Sequence, residues 1–441
     1  MSKWLEEYRS KLVSAEEAVS VVKNGDWIQY TFGVNTVPVL DAAFAKRIPE
    51  LNDIIIVNGV STRPHAVHYA DPTGEHSTWN STHLTALDRM YAKTRKVFYT
   101  PMKYSEAPRY VRTNRDCRIL MVQVAPMDKH GYFNLGPTIT HFRAALEAAE
   151  VVIVEINEDM PYAHGGYDNN FHVSEVTYIV AGGHTGMPQI ANEIPEKEDH
   201  KIAEFVLAEL RDGDCLQLGI GSLPNALGQL IAKSDLKDLG IHTEMLCDSI
   251  VNLAEAGKIN GSKKQIDIGR MVYTFAAGTQ KLYDFIDNNP ECAGYPADYT
   301  NDRVIACRND NVVSINSAVE IDLTGQVCSE SKGSRMISGA GGQLDFIDIA
   351  YNSKGGRSFI CLPSTYTDSK GNKHSRIKGL LTLGAVVTDT RSTVQYVATE
   401  YGMIFLKGLT VWQRAEKLIS IAHPDFREEL THEAHKLALL R

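Results

Sequence analysis

The chain has 441 residues, which exceeds one ordinary domain of roughly 100–200 residues and predicts two or three domains. With 43% hydrophobic and 22% charged residues, the composition excludes a disordered, collagen-like or coiled-coil protein. The formal net charge is −9, so the chain lacks the overall basic field that attracts nucleic acid or an anionic membrane. We expect neither as a partner, and an anionic substrate would need a local site such as a helix N-terminus.

The seven cysteines are widely scattered and form no CxxC pair. This spacing argues against a disulfide framework and a zinc site, and it favours reduced, mostly buried thiols. Residues 1–26 contain acidic side chains and lack the apolar core of a signal peptide, and the longest apolar runs have the length of a strand. We therefore predict a cytoplasmic location, no metal and no permanently bound cofactor.

A sequence motif occurs twice, first at Lys23–Gly33 and again, 188 residues later, at Arg211–Gly221. Both copies have a basic residue, Gly-Asp, an aliphatic residue, Gln and a terminal Gly in register, and both lie between helical patterns followed by a short apolar strand. This order predicts βαβ crossovers and a mostly parallel sheet in each copy. We predict two related α/β domains, 1–190 and 191–441, joined within the Pro- and charge-rich stretch Pro188–Asp199.

The second copy contains a glycine-rich strand end at Leu216–Asn225. Ligands of parallel sheets bind beyond the carboxyl ends of the strands, and Gly219 and Gly221 let a ligand approach the backbone. Pro224 suits the first turn of a helix, whose free N–H groups attract phosphate or carboxylate. Because Pro224 stands where a dinucleotide fingerprint has its third Gly, that fingerprint is excluded. Taken alone, such a turn is more often structural than functional.

Two further stretches are candidates for the same edge of the sheet. If Gly240–Glu244 is the adjacent strand, Glu244 ends it near the glycine loop, where its carboxylate could be a base, a metal ligand or a nucleophile. From this stretch alone, an ordinary exposed Glu at a strand end is the favoured interpretation. Ser338–Phe346 has three glycines in four residues, whose N–H groups could form an oxyanion hole, or only a surface turn.

Taken together, Gly219–Ala226, Gly240–Met245 and Gly341–Phe346 resemble the acetyl-CoA hydrolase/transferase family. Further matching stretches are Met127–Gly136, His172–Glu175, Ser375–Ile377, Val387–Arg391, Val397–Gly402 and Ile421–Arg427. The resemblance therefore spans nearly the whole chain, and the closest subgroup is that of butyryl-CoA:acetate and 4-hydroxybutyrate CoA-transferases. It implies two related α/β domains with mostly parallel sheets and the active site between them.

The resemblance also implies roles for individual residues. Glu244 matches the catalytic Glu of the family, and Gly341 and Gly342 match the glycines at the oxyanion and the CoA thioester. The positions expected to bind CoA are Gly219, Ile220, Gly221, Ser222, Leu223 and Asn225. The positions expected to line the acyl pocket are Gln217, His242 and Gly33.

The implied reaction moves CoA between a short-chain acyl-CoA and a free carboxylate such as acetate, butyrate or 4-hydroxybutyrate. It proceeds through a glutamyl-CoA thioester on Glu244, whose unperturbed pKa of about 4.3 would leave it ionised at neutral pH. Coenzyme A and acyl-CoA are then substrates, and we expect a homodimer or a higher homo-oligomer. The alternatives are an acyl-CoA hydrolase using the same Glu, a transferase for an acid such as itaconate or succinate, and a non-catalytic sensor.

Three departures from the family pattern leave the preferred acid open. Ser249 follows Asp248 where the family commonly has Gly, Tyr162-Ala163 replaces the usual Arg-Thr pair, and the stretch Trp79–Val97 is less typical of the family. Each of these changes could reshape the acyl pocket.

Overall fold

A computed structural model describes residues 3–94, 97–114 and 116–440. The chain divides into two compact units: the first holds the residues up to Ala191 together with Val272–Thr300, and the second holds the rest. The predicted domains, 1–190 and 191–441, are continuous stretches and so place Val272–Thr300 differently. That division stays a prediction, and its outermost residues, 1 and 441, lie outside the described residues.

The first unit is built on a sheet whose neighbouring strands all pair in parallel. In sheet order, its described strands are Leu12–Val13, Tyr178–Ala181, Val151–Ile156, Cys117–Val124, Trp27–Phe32, Ile54–Gly59, Ser77–Ser81 and Val97–Tyr99. The α-helices are Lys3–Lys11, Ala15–Val19, Pro38–Arg47, Ala66–Ala70, Ala86–Ala92, Ala107–Asn114, Phe142–Ala148, Gln280–Ile286 and Ala297–Thr300. A separate antiparallel pair joins Tyr132–Asn134 and Asn170–His172.

The second unit has its own sheet, parallel except for an antiparallel final strand. In sheet order, its described strands are Gly240–Ile241, Cys215–Leu218, Val312–Ser317, Arg357–Cys361, Tyr396–Thr399 and Gly402–Phe405. The helices are Lys197–Leu207, Ser222–Lys233, Asp248–Glu255, Arg303–Ala306, Gln343–Asn352, Val411–Ser420 and Pro424–Lys436. The predicted α/β class with mostly parallel sheets is confirmed. Among the described helices, none is long and apolar enough to cross a membrane.

Continuous apolar runs explain why the central strands form where they do. Val151–Ile156 and Cys117–Val124 are almost wholly apolar and mostly buried, as parallel strands covered on both faces require. Burial of each large apolar side chain contributes about 1.5–3 kcal/mol, so these central strands anchor the first unit.

The repeated Gly-Asp motif forms the same turn in both units. Gly25 and Gly213 have φ angles of 79° and 80°, in the left-handed region that glycine adopts without strain. The carboxylates of Asp26 and Asp214 each accept a hydrogen bond from the backbone N–H three residues earlier, at 2.7 and 2.8 Å. Each aspartate also pairs with an arginine near the start of another strand of its sheet; these are Arg118 for Asp26 and Arg357 for Asp214. The repeat seen in the sequence is therefore a repeated local structure.

The strand before the candidate glutamate is shorter than predicted. It covers Gly240–Ile241, which pairs in parallel with Cys215–Leu216 as expected of an adjacent strand. The chain then leaves the sheet, and the Thr243 hydroxyl lies at hydrogen-bond distance from the carbonyl oxygens of Leu218 (3.1 Å) and Met245 (3.2 Å). Glu244 consequently lies in a loop beyond the strand and does not end it.

Candidate active site

The Glu244 carboxylate is held by groups from distant parts of the second unit. Its Oε2 accepts a hydrogen bond of 2.7 Å from Asn301 Nδ2. Asn301 is 1% exposed, and its Oδ1 has no hydrogen-bond partner among the described residues. The amide is thus buried, and its donor side is directed at the carboxylate.

The predicted glycine pair lies against this carboxylate. Gly342 precedes the helix Gln343–Asn352 with an ordinary φ of −99°, so its backbone conformation alone would accept other residues. A Cβ at this position would nevertheless overlap Glu244 Oε2 and Asn301 Nδ2. Gly341 has a φ of 51°, in the left-handed region. The first glycine is therefore required by conformation and the second by the closeness of Glu244.

The pKa of Glu244 is raised to about 8. Burial of the carboxyl group is the largest cause; the Asn301 hydrogen bond lowers the pKa, the charge of Asp345 raises it, and a hydrogen bond with the Gly342 backbone lowers it. The residue keeps a partly exposed surface, while the groups around its carboxylate, Asn301 and Gly342, are buried. The expectation that Glu244 is ionised at neutral pH is therefore corrected, because desolvation of the carboxylate raises its pKa by more than its two hydrogen bonds lower it.

The predicted CoA loop joins the strand Cys215–Leu218 to the helix Ser222–Lys233. Gly221 has a φ of 121° and stands at the helix start, and Pro224 lies in the first helical turn as predicted. A Cβ placed on Gly219 would meet no described atom within 4 Å. Internal packing therefore does not require glycine at this position, and its backbone faces open space that a ligand can enter.

Side chains of the CoA loop differ in their availability. Ile220 is 50% exposed, whereas Leu223 is 5% exposed and belongs to the core. The Ser222 backbone N–H donates to Glu193 Oε2 at 3.2 Å, and Asn225 Nδ2 donates to the Glu193 carbonyl oxygen at 2.9 Å. The helix N-terminus thus holds a carboxylate of the chain itself.

Two hydrogen bonds link the CoA loop to the stretch that carries Glu244. One is the bond from the Thr243 hydroxyl to the Leu218 carbonyl oxygen. The other runs from Cys247 Sγ to the Gly219 carbonyl oxygen at 3.5 Å. The predicted sites at Gly219–Gly221 and Glu244 are therefore connected locally.

The residues expected to line the acyl pocket have separate surroundings. Gln217 is buried, and its Oε1 accepts hydrogen bonds from the Ser314 hydroxyl at 2.9 Å and from Asn316 Nδ2 at 3.2 Å. His242 is also buried, with Nδ1 3.4 Å from Asn309 Nδ2. Gly33 belongs to the first unit. The acyl-pocket assignment stays a prediction.

The structure also shows the surroundings of the residues at which the sequence departs from the family pattern. Ser249 lies in the helix Asp248–Glu255, and its hydroxyl is 3.1 Å from Cys247 Sγ. A Cβ placed on Gly228 would lie 3.2 Å from the Cβ of Ser249. It therefore packs closely against the helix Ser222–Lys233. In the first unit, Tyr162 is 39% exposed and Ala163 is 1% exposed.

Two residues near Glu244 carry no role in the sequence-based prediction. Asn301 lies 57 residues after Glu244 and belongs to no motif, and Asp345 lies within the glycine motif Ser338–Phe346 without being predicted to act on Glu244. The described residues contain no group of three or more His, Cys, Asp or Glu side chains that could hold a metal ion.

Comparison with known proteins identifies the family. The N-terminal and C-terminal domain models of the acetyl-CoA hydrolase/transferase family match residues 2–190 and 278–434. A butyryl-CoA:acetate CoA-transferase of Anaerostipes caccae is 50% identical over 438 residues, covering 99% of this chain and 98% of the relative. A 4-hydroxybutyrate CoA transferase of Clostridium kluyveri is 41% identical over 436 residues, covering 98% and 99%.

Solved structures agree with these matches. RipA from Yersinia pestis is 35% identical, with a TM-score of 0.91 over 100% of both chains. A 4-hydroxybutyrate CoA-transferase from Porphyromonas gingivalis is 33% identical, with a TM-score of 0.80 over 99% of this chain and 100% of that one. The chain belongs to the acetyl-CoA hydrolase/transferase family. Within it, the chain is a CoA-transferase, as the sequence predicts.

Proposed function

We propose that this enzyme transfers CoA between a short-chain acyl-CoA and a small monocarboxylate, with butyrate and acetate as the leading pair. The observation that carries the proposal is the Glu244 carboxylate held between Asn301 and Gly342. The choice of acids is supported by the relative that is 50% identical over nearly the full length and is named a butyryl-CoA:acetate CoA-transferase. We also propose that the enzyme works in the cytoplasm as a homodimer or larger homo-oligomer.

The chemistry begins with ionised Glu244 as a nucleophile. Its oxygen attacks the acyl carbonyl carbon, the C–S bond breaks, and an acyl–glutamyl anhydride and CoA thiolate result. The thiolate then attacks the Glu244 carbonyl carbon and releases the first acid as its carboxylate, leaving a glutamyl-CoA thioester. The second acid reverses both steps and leaves as its CoA ester. The overall exchange needs no external energy source, because one thioester replaces another.

Asn301 and Gly342 are suited to the second step. When thiolate attacks Glu244 itself, negative charge develops on a Glu244 oxygen, and both groups already hydrogen-bond this carboxylate in the free protein. Preorganised donors of this kind each contribute about 2.7–4 kcal/mol to lowering a barrier. The raised pKa of Glu244 supports the first step, because a more basic carboxylate is a stronger nucleophile.

The CoA loop is proposed to take the thioester end of the substrate. Open space beside Gly219 supports close approach to the backbone, and exposed Ile220 offers an apolar surface next to it. The N-terminus of the helix Ser222–Lys233 attracts negative charge.

Trapping the covalent intermediate tests the mechanism. The protein is incubated with butyryl-CoA, treated with borohydride or hydroxylamine, and its peptides are mapped by mass spectrometry. We expect modification at Glu244 in the wild type and none in the Glu244→Gln variant. Modification at another residue, or none with active protein, would contradict the glutamyl mechanism.

An acceptor panel tests the substrate assignment and the hydrolase alternative. CoA transfer from butyryl-CoA is measured with acetate, butyrate, crotonate, 4-hydroxybutyrate, succinate and itaconate. We expect the monocarboxylates to lead. A dicarboxylate in first place would overturn the choice of acids, and CoA release that does not depend on added acid would identify a hydrolase.

A further inference from the structure

In both units, the helix that follows the repeated motif begins at a carboxylate, but the two carboxylates are held differently. In the first unit, Glu155 Oε2 accepts hydrogen bonds from the backbone N–H groups of Val39 at 3.1 Å and Leu40 at 2.8 Å, at the start of the helix Pro38–Arg47. Glu155 lies in a central strand and is 0% exposed. This carboxylate is a fixed part of the core.

In the second unit, the corresponding helix start holds Glu193, which is exposed. Within the part of the chain that the structure describes, its hydrogen bonds are one from the Ser222 N–H to its carboxylate and one from the Asn225 side chain to its carbonyl oxygen. The surrounding segment 189–196 forms neither helix nor strand, and Ile194 is 87% exposed. Glu193 can therefore leave the helix start without disrupting a core.

The glycines of the CoA loop give an independent reason to expect a ligand here. Gly219 faces open space, with no described atom within 4 Å of a Cβ placed on it. A Cβ on Gly221 would have Glu193 Oε2 as its nearest neighbour, at 3.7 Å. The backbone of the loop thus faces open space at Gly219, whereas at Gly221 the Glu193 carboxylate lies next to it.

We propose that Glu193 is an internal competitor of CoA, occupying part of the CoA subsite in the free enzyme and leaving when CoA binds. The inference rests on the proposed function, which assigns CoA to this loop. The Ser222 N–H can hydrogen-bond either the Glu193 carboxylate or the thioester end of a bound CoA species, including the released CoA thiolate, but only one of them at a time. The competition weakens CoA binding and favours release of CoA species from the loop.

The test compares CoA binding to the wild type with binding to Glu193→Ala and Glu193→Gln by isothermal titration calorimetry. We expect the Ala variant to bind CoA about two- to fivefold more tightly, the range expected when one charge at a helix N-terminus is removed. The Gln variant should fall between the two, because its side-chain oxygen still accepts a hydrogen bond without the charge. Glu204→Ala, at an exposed Glu of the neighbouring helix, is the matched control and should bind like the wild type.

Unchanged or weaker CoA binding in both variants, with wild-type melting temperatures, would overturn the inference and make Glu193 a support of the loop. If the melting temperature of the Ala variant is lowered, the CoA affinity of the isosteric Gln variant decides whether Glu193 competes with CoA. The proposed function is judged separately, by CoA transfer in the wild type. If the wild type transfers CoA but the Glu193 variants bind CoA with unchanged affinity, only the proposed competition by Glu193 is refuted. If the wild type neither binds CoA nor transfers it, the proposed function and the proposed competition are both refuted.

Discussion

Gly342 faces the Glu244 carboxylate so closely that a methyl group on its α-carbon would overlap carboxylate Oε2. The side chain missing at position 342 is therefore a condition for the observed orientation of Glu244. Because the φ of Gly342 is −99°, an alanine there would be strained by contact and not by its backbone conformation.

The first prediction concerns this contact. Gly342→Ala should displace the Glu244 carboxylate and reduce kcat by about 100-fold, since a displacement of about 1 Å at a reacting group costs that much. Gly166→Ala is the control, because Gly166 has a φ of −84° and its added Cβ would meet the Tyr295 ring at an ordinary 3.4 Å. Steady-state kinetics of butyryl-CoA:acetate exchange measure the effect. Equal kcat values for the two variants would show that the contact does not matter.

The second prediction is a pH dependence. Because the pKa of Glu244 is raised to about 8, the ionised nucleophile is the minor form at neutral pH. We expect kcat/KM for acyl-CoA to rise about tenfold per pH unit below this pKa and to level off above it, since kcat/KM reports the free enzyme. Rates measured from pH 6 to 9.5 provide the check. A profile that is flat from pH 6 to 8 would mean that Glu244 ionises at its ordinary pKa.

The third prediction removes the donor to Glu244. Asn301→Ala should lower kcat at neutral pH by about 10- to 100-fold, the value of a hydrogen bond to a charged group. Since the Asn301 hydrogen bond lowers the pKa of Glu244, its loss should also move the midpoint of the pH profile upward, so that activity partly recovers at alkaline pH. Asn372→Ala, at an exposed Asn of the same unit, should change neither quantity. Loss of rate without movement of the midpoint would contradict the electrostatic role.

The fourth prediction has the opposite sign. The charge of Asp345 raises the pKa of Glu244, so Asp345→Asn should move the midpoint of the pH profile downward. The variant should then retain a larger fraction of its maximal rate at pH 7 than the wild type. The pH dependence of kcat/KM measures this fraction, and a midpoint at or above that of the wild type would refute the assignment.

The fifth prediction concerns stability. A raised carboxyl pKa means that the folded state binds the Glu244 proton more tightly than the unfolded state does. The contribution of this protonation to the free energy of unfolding is therefore complete below the pKa of Glu244 in the unfolded chain, and it is lost as the pH rises through about 8. Glu244→Gln keeps an acceptor for Asn301 but has no charge to desolvate. Its melting temperature should exceed that of the wild type by more at pH 9 than at pH 6. Glu204→Gln, at an exposed position, should show no such trend, and a pH-independent difference for Glu244→Gln would count against the raised pKa.

Local signals explain what could be predicted from the sequence. The Gly-Asp turns, the glycine loop before the helix Ser222–Lys233 and the position of Glu244 near that loop all depend on residues close together in the chain. Glycine and proline restrict or release the backbone locally, so their spacing predicts these turns well.

Features that depend on distant residues could not be predicted. Asn301 reaches Glu244 across 57 residues, and no short motif indicates this contact. The raised pKa of Glu244 results from the burial of its surroundings, which appears only when the loops at 244, 301 and 342 are brought together. The grouping of Val272–Thr300 with the first unit likewise depends on long-range packing.

The two carboxylates at the repeated helix starts place different limits on variation. Glu155 has a raised pKa of about 7 and is enclosed by the first unit, so a substitution there is first a question of whether the chain folds. Glu193 stands on the surface, so a substitution there leaves the core of the second unit intact and, under the proposed competition, would change how long the enzyme retains CoA. One helix start is thus tied to the folding of its unit, while the other is open to substitution at the surface.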